Sequence, residues 1–116
     1  MTERIEETIL RNLIYDEEFY RKVVPFLKAD YFIELQERVI FEEISDFSTK
    51  YDKNPTKEVL NINLQNRSDL TDETFQQSLA LIKEYTDEWV DKDWLVDSTE
   101  KWCQDRAIYL ALMQSI

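Results

Sequence analysis

The stretch Leu35-Gln36-Glu37-Arg38-Val39-Ile40-Phe41-Glu42-Glu43-Ile44-Ser45-Asp46-Phe47-Ser48-Thr49-Lys50-Tyr51 carries the pattern on which the fold turns. Leu35, Val39, Ile40, Ile44, Phe47 and Tyr51 recur at the spacing that lines one face of an α-helix. No glycine interrupts it, and none occurs anywhere in the 116 residues, which hold only two prolines. Tight β-hairpin turns favour residues that accept positive φ, so a chain without glycine is better suited to helices. An all-α domain is the expectation.

On the N-terminal side, Ile5, Ile9, Leu10, Leu13 and Ile14 give an amphipathic first helix with Thr2 as its cap. Asp16 can cap a second helix with Glu17 and Glu18 in its first turn, where they complement the positive end of the dipole, and Pro25 limits or kinks it. On the C-terminal side, Asp52 to Thr56 is a turn cluster, and Thr56 can cap a short helix carrying Val59, Leu60 and Leu64. Thr71 is placed as the next cap, with Leu70 positioned to staple onto Phe75. A final long helix carries Leu95, Trp102, Tyr109 and Ile116 spaced by sevens. The expected helices are roughly 3–14, 16–25, 33–51, 57–65, 72–86 and 91–116, the last two forming an antiparallel hairpin. The run Ala107 to Met113 is still helical in character without a terminating glycine, asparagine or proline, so the chain is expected to be a fragment of something longer.

At this length one domain hides roughly 65% of its unfolded surface, and 43% hydrophobic residues suffice for a core without disulfides. The absence of glycine removes the phosphate-cradling loops of nucleotide-binding proteins. With no histidine and one cysteine, Cys103, neither a Ser-His-Asp or Cys-His catalytic arrangement nor a usual zinc site can be assembled. No catalytic, metal-binding or cofactor-binding residue is assigned. Asp91, Asp93 and Asp97 hint at a calcium loop, but Val96 stands where that loop needs glycine and Trp102 where it needs glutamate. A formal net charge of -11 repels polyphosphate, so direct nucleic-acid binding is not expected. The acidic start and the lack of a long apolar run argue against a signal peptide or a membrane span, and place the chain in the cytoplasm.

The tryptophans Trp89, Trp94 and Trp102 fall within fourteen positions, with Tyr85 and Tyr109 flanking them. Two readings stand: the rings seal a small helical core, or they face another subunit or partner. The functional expectation is the second, with Trp89, Trp94, Trp102, Tyr109 and Leu112 as the interface. The acidic surface likewise admits two readings, plain solubility or docking onto a basic partner.

Read in order, Glu7-Thr8-Ile9-Leu10, Leu13-Ile14-Tyr15-Asp16, Phe19 and Val23-Val24-Pro25-Phe26 resemble the opening of a DnaB-type replicative helicase, most nearly the form found in T-even-type phages. Asp30-Tyr31-Phe32, Ile40-Phe41, Ile44, Tyr51 with Pro55, Trp94-Leu95-Val96, Thr99-Glu100-Lys101 and Gln104-Asp105-Arg106-Ala107 continue the series over nearly the whole chain. Cellular members carry glycines in the first helix and before the hairpin where this chain has none, so details carry over from phage members alone. The resemblance implies a non-enzymatic N-terminal collar domain over 1–116. It would lie before a RecA-like motor, absent from this chain, that binds ATP and magnesium and pulls single-stranded DNA through a hexameric ring. It also implies self-association as dimer or hexamer, docking of primase, and residence in the host-cell cytoplasm. The alternative is a stand-alone acidic helical inhibitor that mimics nucleic acid and blocks a basic protein.

Overall fold

The computed structural model describes residues 3–115. Six α-helices follow one another: α1 (Ile5–Tyr15), α2 (Glu17–Val23), α3 (Leu35–Tyr51), α4 (Lys57–Gln65), α5 (Asp72–Glu84) and α6 (Lys92–Gln114). Two single 3-10 turns, Val24–Phe26 and Ala29–Tyr31, bridge α2 to α3, and the described residues contain no strand.

Side-chain caps set several helix starts. Asp16, Thr56, Thr71 and Asp91 each accept a hydrogen bond from a backbone N–H in the first turn of the helix that follows. Asp91 is thereby a helix cap, which accounts for its place in the apparent calcium pattern. The first helix starts at Arg4 without a side-chain cap, and the expected cap Thr2 lies outside the described residues. Pro25 tightens the end of α2 into a 3-10 turn, so that helix stops at Val23. At the end of α3, Asp52 takes the left-handed conformation (φ 55°) that glycine usually supplies; aspartate is among the few other residues that tolerate it. The nearby Asn54 donates from Nδ2 to the Leu13 carbonyl at 2.6 Å, tying this turn to α1.

α1 packs on α2, α3 and α6 and is buried almost all round. Ile9, Leu10, Leu13, Val23, Phe32, Ile40, Ile44, Leu60 and Leu95 form the centre of the core. α1 is therefore a central rod, unlike the one-sided amphipathic helix its spacing suggests. Polar residues on its far side are buried too. Asn12 donates to the Thr8 carbonyl (2.8 Å) and accepts from Lys92 Nζ (2.6 Å), which satisfies both ends of its amide.

α5 packs on α3 and α4, whereas α6 packs on α2, the Ala29–Tyr31 turn and α1. The principal packing partners of these two expected hairpin helices are thus other elements of the domain. Residues 86–91 cross α1 between them, held by the Arg11 guanidinium on the carbonyls of Thr86 and Glu88.

Candidate interaction surface along the last helix

Leu95, Thr99, Trp102 and Cys103 recur at helical spacing and are the buried residues of α6. Trp102 is only 8% exposed; its ring lies 4.9 Å from that of Phe32 and meets Tyr31 edge-on at 6.1 Å. Trp102 thus packs into the core where α6 crosses the Ala29–Tyr31 turn, which leaves little of the expected interface ring exposed. The residues spaced by sevens do not share one face, because a straight helix drifts about 20° per heptad. Tyr109 consequently points outward, and Ile116 lies outside the described residues.

One turn beyond Trp102 a charge cluster anchors the helix. Arg106 lies over the Trp102 ring and donates to Glu6 at 2.9 Å. Arg4 reaches Glu6 at 3.6 Å and forks onto both oxygens of Glu37 at 3.0 and 3.1 Å. Burial pushes the Glu37 carboxyl above its ordinary range, with Arg4 pulling the other way. Beyond Arg106 one side of the helix stays against the domain through the half-buried Leu110, and the other side is open. Ile108, Tyr109, Leu112 and Met113 are exposed there, spread over roughly 140° of the helix circumference at 3.6 residues per turn. Four large apolar side chains on one open side of the helix form a patch of the kind that marks an association surface.

Trp89 and Trp94 are exposed at the opposite end, where residues 86–91 enter α6. Trp94 and Leu112 are eighteen residues apart, five full turns, so they share a helix face at about 27 Å separation. Lys101 and Asp105, paired at 3.5 Å, interrupt that face. Trp89 and Trp94 are thus exposed five residues apart at one end of the helix, and Tyr109 and Leu112 at the other, with Trp102 buried between. Ile108 and Met113 belong with Tyr109 and Leu112 and were missed from the sequence, although their i, i+4 relation to Leu112 and Tyr109 was visible there.

The chemistry available around α6 is limited. A groove of about 300 Å³ between the Pro25–Tyr31 segment and α6 is lined by Phe26, Tyr31, Cys103 and Ala107. Burial pushes the Cys103 thiol up to about 11, so it stays protonated at neutral pH. Among the described residues no group of three His, Cys, Asp or Glu side chains is placed to hold a metal ion. No helix among them is long and apolar enough to cross a membrane.

The family model of the DnaB-like helicase N-terminal domain matches residues 2–89, which takes in α1 to α5. The chain is also similar to a DnaB-like replicative helicase of Enterobacteria phage T4, 33% identical over 110 residues and 95% of this chain. The chain spans about a quarter of that relative, 23% of its length.

Proposed function

The chain belongs to the family of DnaB-like helicase N-terminal domains, and from that premise we propose that it is the oligomerisation and partner-docking collar of a hexameric replicative DNA helicase, with primase among its partners. In this assignment ATP and magnesium are used by a motor portion of the whole protein, in the cytoplasm of a host cell, and the collar contributes contacts. What supports it in the structure is the exposed apolar end of α6. Ile108, Tyr109, Leu112 and Met113 face outward from a helix held to the domain by Arg106, Glu6, Arg4 and Glu37 and by the half-buried Leu110. A rigid base with an apolar tip holds subunits by desolvation, which salt weakens little.

The acidic-mimic alternative needs open rows of carboxylates. Glu3, Glu6, Glu37, Glu42, Glu43 and Asp16 are engaged by Arg11, Arg4, Arg106, Arg67 and Lys92, so these six do not belong to such a row.

The test is sedimentation velocity over micromolar to millimolar concentration, at low and high salt, on wild type and Ile108→Asp/Leu112→Asp. Concentration-dependent association that persists in salt, and that the double variant abolishes while its helical signal is retained, is the expected outcome. A wild type that stays monomeric throughout refutes the collar assignment of this patch. So does association that the variant leaves unchanged.

A further inference from the structure

The structure assigns a second, chemically different contact to the junction of residues 86–91 with α6: we propose that Trp89 and Trp94 form a docking platform for a lysine- or arginine-bearing segment of a partner protein. The assignment deepens the partner-docking half of the proposed function and is separate from the apolar tip of α6.

The fold holds the backbone of this junction firmly. Arg11, 5% exposed, donates from Nε to Glu3 and from Nη1 to the carbonyls of Thr86 (3.2 Å) and Glu88 (2.9 Å). Tyr15 donates its hydroxyl to the Tyr85 carbonyl at 3.3 Å. On the far side Lys92 bridges to Asn12 at 2.6 Å and Asp16 at 3.1 Å, and Asp91 caps α6. Trp89, between these fixed points, is 83% exposed, so the fold gains almost nothing from its indole. Trp94, in the first turn of α6, is half-exposed. A large ring left unburied on an ordered backbone suits binding, since little ordering entropy remains to be lost when a partner arrives.

Charge selects the partner. Residues 87–97 carry five carboxylates, Asp87, Glu88, Asp91, Asp93 and Asp97, all exposed, against one basic residue, Lys92. Lys92 is turned inward onto Asn12 and Asp16, so it does not offset them toward solvent. Indole faces attract cations through their quadrupole, and surrounding carboxylates add to that attraction while repelling nucleic acid and other acidic surfaces. A guanidinium or ammonium side chain carried on a protein segment meets both conditions. A second copy of this chain, also at -11, does not.

The experiment titrates the full chain with an amidated twelve-residue peptide of alternating arginine and serine, read by calorimetry. The variants are Trp89→Ala, Trp94→Ala, Asp87→Asn/Asp93→Asn, and Asp46→Asn/Glu73→Gln on α3 and α5, both exposed, as a charge-matched control away from the platform. We expect saturable binding, weakened about tenfold by Trp89→Ala at unchanged net charge and by Asp87→Asn/Asp93→Asn, and less than about twofold by the α3–α5 control. Three outcomes overturn the assignment: no saturable binding, tryptophan variants that bind like wild type, or equal losses from both charge pairs. A Trp89→Ala chain that loses self-association in sedimentation instead would make a second copy the occupant and overturn it too. Circular dichroism checks that each variant keeps its fold. Because the collar test reads Ile108 and Leu112, either result can fail without the other.

Discussion

Replacing Trp102 by alanine separates core from surface among the aromatic residues of α6. The ring is 8% exposed and packs on Phe32 and Tyr31. A tryptophan buries about 200 Å², which at about 25 cal/mol per Å² is worth about 5 kcal/mol of transfer free energy. Alanine recovers part of that, and the unfilled cavity adds a cost, so truncation is expected to cost about 3 to 5 kcal/mol. One offset is visible: the Trp102 Nε1–H is buried without a protein acceptor, and its removal abolishes that unpaired donor. The lower half of the range, about 3 kcal/mol, is the better expectation. For a domain of this size the melting temperature should fall by roughly 10 to 20 °C, at about 3 to 6 °C per kcal/mol. Trp102→Phe keeps a ring against Phe32 and drops the unpaired N–H, and should cost about half as much. Trp89→Ala, at a site 83% exposed, should change stability by less than about 0.5 kcal/mol. Urea unfolding followed by circular dichroism measures all three. The assignment of Trp102 to the core is refuted by a Trp102→Ala loss below about 1 kcal/mol, or by one no larger than that of Trp89→Ala.

Arg11→Met should destabilise the domain by about 2 to 4 kcal/mol, because Glu3 and two carbonyls lose a buried donor. Its local signature is faster amide exchange in residues 86–91; exchange as slow as in wild type would show that Arg11 does not hold that segment. Tyr85→Phe should be neutral or stabilise by up to about 1 kcal/mol, since the Tyr85 hydroxyl is buried without a partner and burial pushes its ionisation well up. A loss above about 1 kcal/mol in urea unfolding would mean that the hydroxyl is satisfied. Glu37 supplies a pH dependence. Burial raises its folded value above the ordinary 4.5, with Glu6 and Glu34 adding repulsion and Arg4 opposing, so the folded state holds the proton more tightly than the unfolded chain. Its contribution is fully present below the unfolded value and is lost as pH rises through the folded one. Wild type should therefore gain stability relative to Glu37→Gln as pH falls from 7 toward 4.5. Urea titrations across that interval check it, and a gap that is constant or shrinks toward acid contradicts it.

What the sequence determined by itself follows from local physics. Apolar residues at three and four positions in Leu35 to Tyr51, the absence of glycine, and the oxygen-bearing residues Asp16, Thr56 and Thr71 ahead of apolar runs state helix and helix start within a few residues of chain. The ordered landmarks from Glu7 to Ala107 also carried the family likeness. Which helix lies in the middle is not a local property. Arg11 and Asn12 read as the polar face of α1, and only the arrival of residues 86–88 and of Lys92 turns that face inward with its hydrogen bonds met. The aromatic residues of α6 divide for the same reason. Trp94, Trp102 and Tyr109 are alike in type and nearly regular in spacing, but burial depends on which side of the helix the rest of the chain covers. The domain covers the side of the helix that carries Trp102, Arg106 and Leu110, and leaves the side of Tyr109 and Leu112 open. Helical period is set by 3.6 residues per turn and is written in the spacing, whereas the depth of a side chain is set by neighbours up to a hundred positions away, and only packing brings those together.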